Sequence, residues 1–176
     1  MEQAHTMPRE EARPPLVATL SIDPSVQEYF NELRRTYFPP ERNYLDAHLT
    51  LFHALPDEPG IREELQRVAR QQPSFDAVAE QIVSLGYGTA FKIVAPALPA
   101  LHQQLQKHWH DALTNQDRQK RNFHITIQNK VEPARAKALQ AELGHAFKPF
   151  SFAVTGFRLW RYLGGPWEYL ESYDFL

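Results

Sequence analysis

Two stretches of the chain share the two-residue period of a β-strand. They are Ala47-His48-Leu49-Thr50-Leu51-Phe52 and Phe123-His124-Ile125-Thr126-Ile127-Gln128, with histidines 124 − 48 = 76 residues apart. Alternate residues of a strand share a face. The pattern therefore predicts two strands, one with His48 and Thr50 on a polar face, the other with His124, Thr126, Gln128 and Lys130. Each strand buries its apolar face and presents an imidazole beside a hydroxyl. With 8 histidines in 176 residues, a shuffled chain gives two such copies on the order of 0.01 times.

Composition sets what such strands can belong to. The chain has 176 residues, 43% of them hydrophobic, enough for one domain or for two small lobes that share a core. It has no cysteine, which excludes a disulfide framework, thiol catalysis and Cys-type zinc sites. A formal net charge of −2 argues against a protein that coats duplexes, yet leaves room for a local basic cleft. There is no apolar run near 18 residues and no basic-then-apolar leader, so the expectation is a cytoplasmic monomer with no membrane contact and no obligatory protein partner. Residues 1–13 read as a flexible tail, and 14–176 as one domain.

The order of elements repeats after each motif. A strand at 16–22 precedes Asp23-Pro24, an N-cap followed by a first-turn proline. The helix it starts carries Val26, Tyr29, Phe30, Leu33 and Tyr37 at helical spacing and stops at Pro39-Pro40. The first His-Thr strand is expected over 46–55, then a helix over 57–71. Strands at 75–85 and 89–95 join across Gly86-Tyr87-Gly88, a hairpin signal. A helix over 96–113 and a basic loop over 114–122 lead to the second His-Thr strand. After it come a helix from Pro133 to Pro149 and strands at 150–162 and 167–173. The order strand, helix, strand, turn, strand thus occurs twice, as in a distant duplication. The expected fold class is α+β: bilobal, two pseudo-symmetric antiparallel β-sheet lobes with outer helices and a central cleft.

Paired histidines suit phosphodiester transfer without metal. A neutral imidazole takes a proton from the attacking hydroxyl while a protonated one supplies the leaving oxygen. Thr50 and Thr126 would donate to the non-bridging phosphate oxygens. The pair His48-Leu49-Thr50-Leu51 and His124-Ile125-Thr126-Ile127 resembles the 2H phosphoesterase superfamily, which includes the 2′-5′ RNA ligase-like RNA 2′,3′-cyclic phosphodiesterases. The resemblance covers the chain from about Leu16 to the C-terminus. It implies two motifs facing each other across a cleft, opening 2′,3′-cyclic phosphates of RNA termini or small nucleotides with no cofactor and no metal. The catalytic set it implies is His48, Thr50, His124 and Thr126.

Around that set the sequence offers substrate-binding candidates, each with a plainer reading. Phe52 falls on the face of His48 and is a base-stacking or packing residue. Lys130, on the face of His124, attracts phosphate or is merely solvated. Arg121 belongs to a basic lip with Arg118 and Lys120, or to a charged loop. Tyr162 and Trp167, with Trp160, flank the Gly164-Gly165 turn and form a base platform or part of the core. His53 completes a His-x-Thr-x-x-His pattern that suggests metal ligation. Its strand parity instead places it inward with Leu49 and Leu51. His108-Trp109-His110 diverge around a helix and read as surface. The competing class is a non-catalytic RNA- or nucleotide-binding domain of the same fold.

Overall fold

Asp23 caps the first helix as its sequence suggests: its Oδ1 accepts from the main-chain N–H groups of Ser25 at 2.8 Å and Val26 at 3.3 Å, ahead of Pro24. The computed structural model describes residues 12–176. Strand β1 (Leu16–Ile22) leads through this cap into α1 (Pro24–Tyr37), followed by β2 (Leu49–Leu55) and α2 (Pro59–Ala69). Then come the hairpin β3 (Phe75–Ser84) and β4 (Thr89–Val94), α3 (Ala97–Trp109), β5 (His124–Gln128), α4 (Pro133–Gly144), and a last hairpin of β6 (Phe150–Tyr162) and β7 (Trp167–Asp174). Of the expected tail, 1–13, only the last two residues are among those described. Arg13 donates to the Asp57 carbonyl at 3.3 Å.

All seven strands join one antiparallel sheet in the order β1-β2-β5-β4-β3-β6-β7, and β1 also pairs with β6. Six strands therefore close a ring, and β7 extends it beyond β6. The mixed α+β class with an antiparallel sheet and packed helices is as expected. The two His-Thr strands, expected on separate sheets, are neighbours in a single one. They meet at one residue pair, Leu49 opposite Ile125.

One face of the sheet carries the core. Phe30 of α1 is fully buried against Phe91, Phe150 and Phe152, with ring centroids 5.2, 6.0 and 6.3 Å away. Burial of such a side chain contributes about 1.5–3 kcal/mol. Leu49, Ile125, Leu20 and Phe157 are buried, each paired with a buried apolar residue of the neighbouring strand. The opposite face carries Thr19, Thr50, Thr126 and the two motif histidines.

Strand β2 departs from simple alternation in two places. It starts at Leu49 rather than residue 46, because α1 captures the main chain just before it. Asn31 Oδ1 accepts the Ala47 N–H at 2.9 Å, and Gln27 Nε2 donates to the Ala47 carbonyl at 2.7 Å, so neither group is free for a ladder. Further along, Thr19 pairs with Thr50 but Ala18 pairs with Phe52, leaving Leu51 as the extra residue of a bulge. Beyond the bulge the parity inverts. Phe52 turns to the helix-covered face, where it is fully buried, stacks on His102 at 4.9 Å and meets Trp109 edge-on at 5.2 Å. Its expected place beside His48 is thus corrected. His53 turns the other way, to the face of Thr50. The buried Asp117 carboxylate takes the N–H groups that the irregular ladder frees, accepting from His53 at 2.9 and 3.1 Å and from Ala54 at 2.9 Å.

Candidate active site

The Leu49–Ile125 pair sets the geometry of the site. Continued from that pair, an antiparallel register would set Thr50 opposite His124 and His48, just ahead of β2, opposite Thr126, all four on one face. His48 and His124 are then diagonal neighbours, a relation that places residues about 7–8 Å apart. One phosphate with a hydrogen bond on either side spans such a gap.

Both imidazoles are oriented the same way. His48 Nδ1 lies 2.8 Å from the Asp46 carbonyl and His124 Nδ1 lies 3.0 Å from the Asn122 carbonyl, in each case two residues back along the chain. A carbonyl only accepts, so each Nδ1 carries the proton and each Nε2 is left for a ligand. Burial pushes the His48 pKa down to about 4. Arg34, His53 and His124 add repulsion, while the bond to Asp46 works the other way. Burial also lowers His124, helped by Arg121 and His53 and opposed by the bond to Asn122. In the unliganded protein both rings are neutral at pH 7. A bound anion would favour the protonated form of either ring.

Two buried or half-buried arginines stand beside these strands. Arg34 is 4% exposed. Its Nε donates to Asn43 Oδ1 and to the Leu45 carbonyl, both at 2.9 Å, and its Nη1 donates to the Thr126 carbonyl at 3.0 Å. Its guanidinium lies 4.1 Å above the Phe38 ring. Burial lowers its pKa to about 10, so it remains charged. Sequence reasoning missed Arg34. The available signal was that it follows Phe30 by one helical turn, on the stripe that faces the sheet. Arg121, a sequence candidate, donates from Nη1 to His53 Nδ1 at 2.9 Å.

Two cavities open beside His48. One, of about 370 Å³, is bounded by His48, Thr126, Arg42, Lys130, Tyr162 and Trp167. The other, of about 240 Å³, has Thr19, Arg158 and Trp160 in its wall; both are bounded by Tyr44, His48 and Trp167. Lys130, Tyr162 and Trp167 thus border a cavity together with His48. Lys130 sits at φ 58°, a left-handed conformation rarely adopted by a side-chain-bearing residue. The Trp167 ring centroid lies 4.6 Å from that of His48 and 6.0 Å from Trp160, whose Nε1 donates to Thr19 Oγ1 at 2.9 Å. Gly164, at φ +90°, supplies the turn that brings Tyr162 and Trp167 together. Arg158 and Tyr44 were not foreseen. Among the described residues no group of three or more His, Cys, Asp or Glu side chains is placed to hold a metal ion, and His53 has the Arg121 guanidinium against its ring. No helix among them is long and apolar enough to cross a membrane.

A family model described as the 2′-5′ RNA ligase superfamily matches residues 22–166. The chain belongs to the 2′-5′ RNA ligase superfamily. No curated protein matches it. Among solved structures, TT0787 of Thermus thermophilus is similar at 19% identity and a TM-score of 0.62, with 91% of this chain and 97% of that one covered. LigT of E. coli, solved with 3′-AMP, is similar at 17% identity and a TM-score of 0.59, covering 93% and 98%. A protein described as a phosphoesterase shows 19% identity and a TM-score of 0.58, covering 93% and 98%. At such identities the likeness is one of fold. The matched region of this superfamily member takes in His48, Thr50, His124 and Thr126.

Proposed function

We propose that this superfamily member is a metal-independent phosphoesterase that hydrolyses 2′,3′-cyclic phosphates of RNA ends or nucleotides by two-histidine acid-base catalysis. The observation that carries the reading is the matched pair of imidazoles, each with Nδ1 tied to a carbonyl two residues back, beside neighbouring strands that pair through Leu49 and Ile125. One Nε2 accepts a proton from the attacking water, and the other, once protonated, delivers one to the departing ribose oxygen. Thr50 and Thr126 donate to the non-bridging oxygens, where charge accumulates. The halves of the sheet on either side of the seam act as two lobes around the phosphate.

The rest of the substrate falls to the two cavities. Arg34, Arg42 and Lys130 are the cationic side chains of the larger one, and Tyr162 with Trp167 offers a face on which a base can stack. Similarity to a structure described as a phosphoesterase, and to LigT crystallised with 3′-AMP, supports the choice of a nucleotide phosphate.

Purified protein incubated with chelator and a panel of 2′,3′-cyclic nucleotides and cyclic-phosphate-ended oligoribonucleotides tests the reading. Ring opening to a phosphomonoester is expected. Binding of the panel without turnover would replace the enzyme by a nucleotide-binding module, and activity lost to chelator would point to metal-assisted hydrolysis.

A further inference from the structure

His53 is the residue that the two-residue period misplaces and that acid-base catalysis by a histidine pair leaves unused. The bulge at Leu51 brings it to the site face, on the side of Thr50. Its ring is held between two groups of opposite charge. Asp117 Oδ1 lies 3.4 Å from Nδ1, and Arg121 Nη1 lies 2.9 Å from the same nitrogen. A guanidinium has only protons to offer, so in the contact with Arg121 the His53 ring is the acceptor, Nη1 lying 2.9 Å from Nδ1 and 3.4 Å from Nε2.

Arg121 has an unusual set of contacts for a half-buried arginine. Its Nε is buried with no partner, its Nη1 bonds a neutral imidazole, and among the described residues no carboxylate forms an ion pair with it. Asp117 supports its charge only from a distance. A guanidinium held out of water in this way is incomplete without an anion. It precedes His124 by three residues, in the loop that delivers β5, and its contact with His53 places it at the site-facing side of β2.

We infer that Asp117 and His53 form a positioning relay that aims the Arg121 guanidinium at a phosphate bound beside His124. The inference rests on the phosphate-binding part of the proposed function but not on turnover. Asp117 fixes the main chain at His53, His53 fixes one arm of the fork, and the remaining N–H groups of Arg121 face the anion. The three residues come from β2 and from the loop ahead of β5, so the relay ties the bulge of one motif strand to the approach of the other.

Binding of inorganic phosphate, followed by calorimetry, isolates the relay from catalysis. Arg121→Ala and His53→Phe should each weaken phosphate, by about 10- to 100-fold for the arginine and less for the histidine, the scale of a hydrogen bond to a charged group. The double variant should be no worse than Arg121→Ala alone, because His53 acts through Arg121. His53→Gln, whose side-chain carbonyl can still accept from Arg121, should bind like wild type. Thermal midpoints check that each variant is folded. In turnover assays, guanidinium ion should restore part of the activity of Arg121→Ala and none of that lost in His53→Phe. Phosphate affinity unchanged in His53→Phe, or independent losses that multiply in the double variant, would overturn the relay. Wild-type protein that binds phosphate through Arg121 but opens no cyclic phosphate would sink the proposed activity and leave the relay standing.

Discussion

Arg34 Nη1 donates to the carbonyl of Thr126 at 3.0 Å, so a side chain of the first helix holds the main chain of the second motif. The same guanidinium secures Asn43 and Leu45 ahead of the first motif. One buried residue thus sets the spacing between the two histidine strands, which share only a single pair in the sheet. Arg34→Met should leave three oxygen acceptors without their donor and cost about 2–4 kcal/mol of stability, measured by urea denaturation. Arg34→Lys should recover little of this, since an ammonium cannot reproduce the fork. A loss below about 0.5 kcal/mol, the range of ordinary surface substitutions, would show that the bridge is incidental.

Replacing either histidine separates the enzyme from a mere binder. His48→Ala and His124→Ala should each lower kcat by roughly 10² to 10⁴, and the double variant should lose far less than the product of the two. Thr50→Ala or Thr126→Ala should cost about 10- to 10³-fold by removing one donor to a phosphate oxygen. Steady-state kinetics on a 2′,3′-cyclic nucleotide reads these effects. Wild-type rates in both folded histidine variants would end the acid-base reading.

Acid should destabilise the protein well before its carboxylates titrate. His48 and the buried His102 are both held near pKa 4, chiefly by burial, and His124 is lowered too. Between these values and the ordinary 6.5, the unfolded chain binds more protons than the folded one, so stability rises with pH across that window and levels off above it. Thermal midpoints from pH 4.5 to 8 should show this slope, and His102→Leu should flatten it. The profile of kcat/KM should be bell-shaped with its maximum on the acid side of pH 6.5. A midpoint that is flat from pH 4.5 to 6.5 would contradict the neutral-histidine assignment.

Phe52 and Trp167 should respond oppositely to truncation. Phe52→Ala opens a hole against His102 and Trp109 and should cost about 3–5 kcal/mol, while the milder Phe52→Leu should keep kcat/KM close to wild type. Trp167→Ala should leave the denaturation midpoint nearly unchanged and raise KM for cyclic nucleotides about tenfold, as expected for loss of a stacking surface. The reverse outcome, a stability loss at Trp167 and a KM effect at Phe52, would return Phe52 to the site.

The element order was readable because proline, glycine and apolar spacing mark it: Asp23-Pro24, Pro39-Pro40 and Gly164-Gly165 all fall at boundaries of elements. The motif strands were readable for the same reason, and with them the four residues of the proposed catalytic set. Phe52 and His53 were misplaced because the bulge at Leu51 is a property of the pairing with β1, invisible to the period of one strand. Arg34 was passed over because its partners lie as far off as Thr126, 92 residues along the chain. The sharing of one sheet by both motifs depended on the Leu49–Ile125 pairing, which no local signal encodes.

An antiparallel register continued from that pair would relate His48 and Thr126 on one side to His124 and Thr50 on the other by a local two-fold axis. A phosphodiester has an approximate two-fold axis of its own, running between its non-bridging oxygens. In the proposed reaction, coincidence of the two axes would let the protein meet the entering and departing oxygens with the same chemistry, so that neither direction would be built into the motifs. Direction would then come from what breaks the symmetry: a tryptophan packed on His48, and an arginine bound to His53.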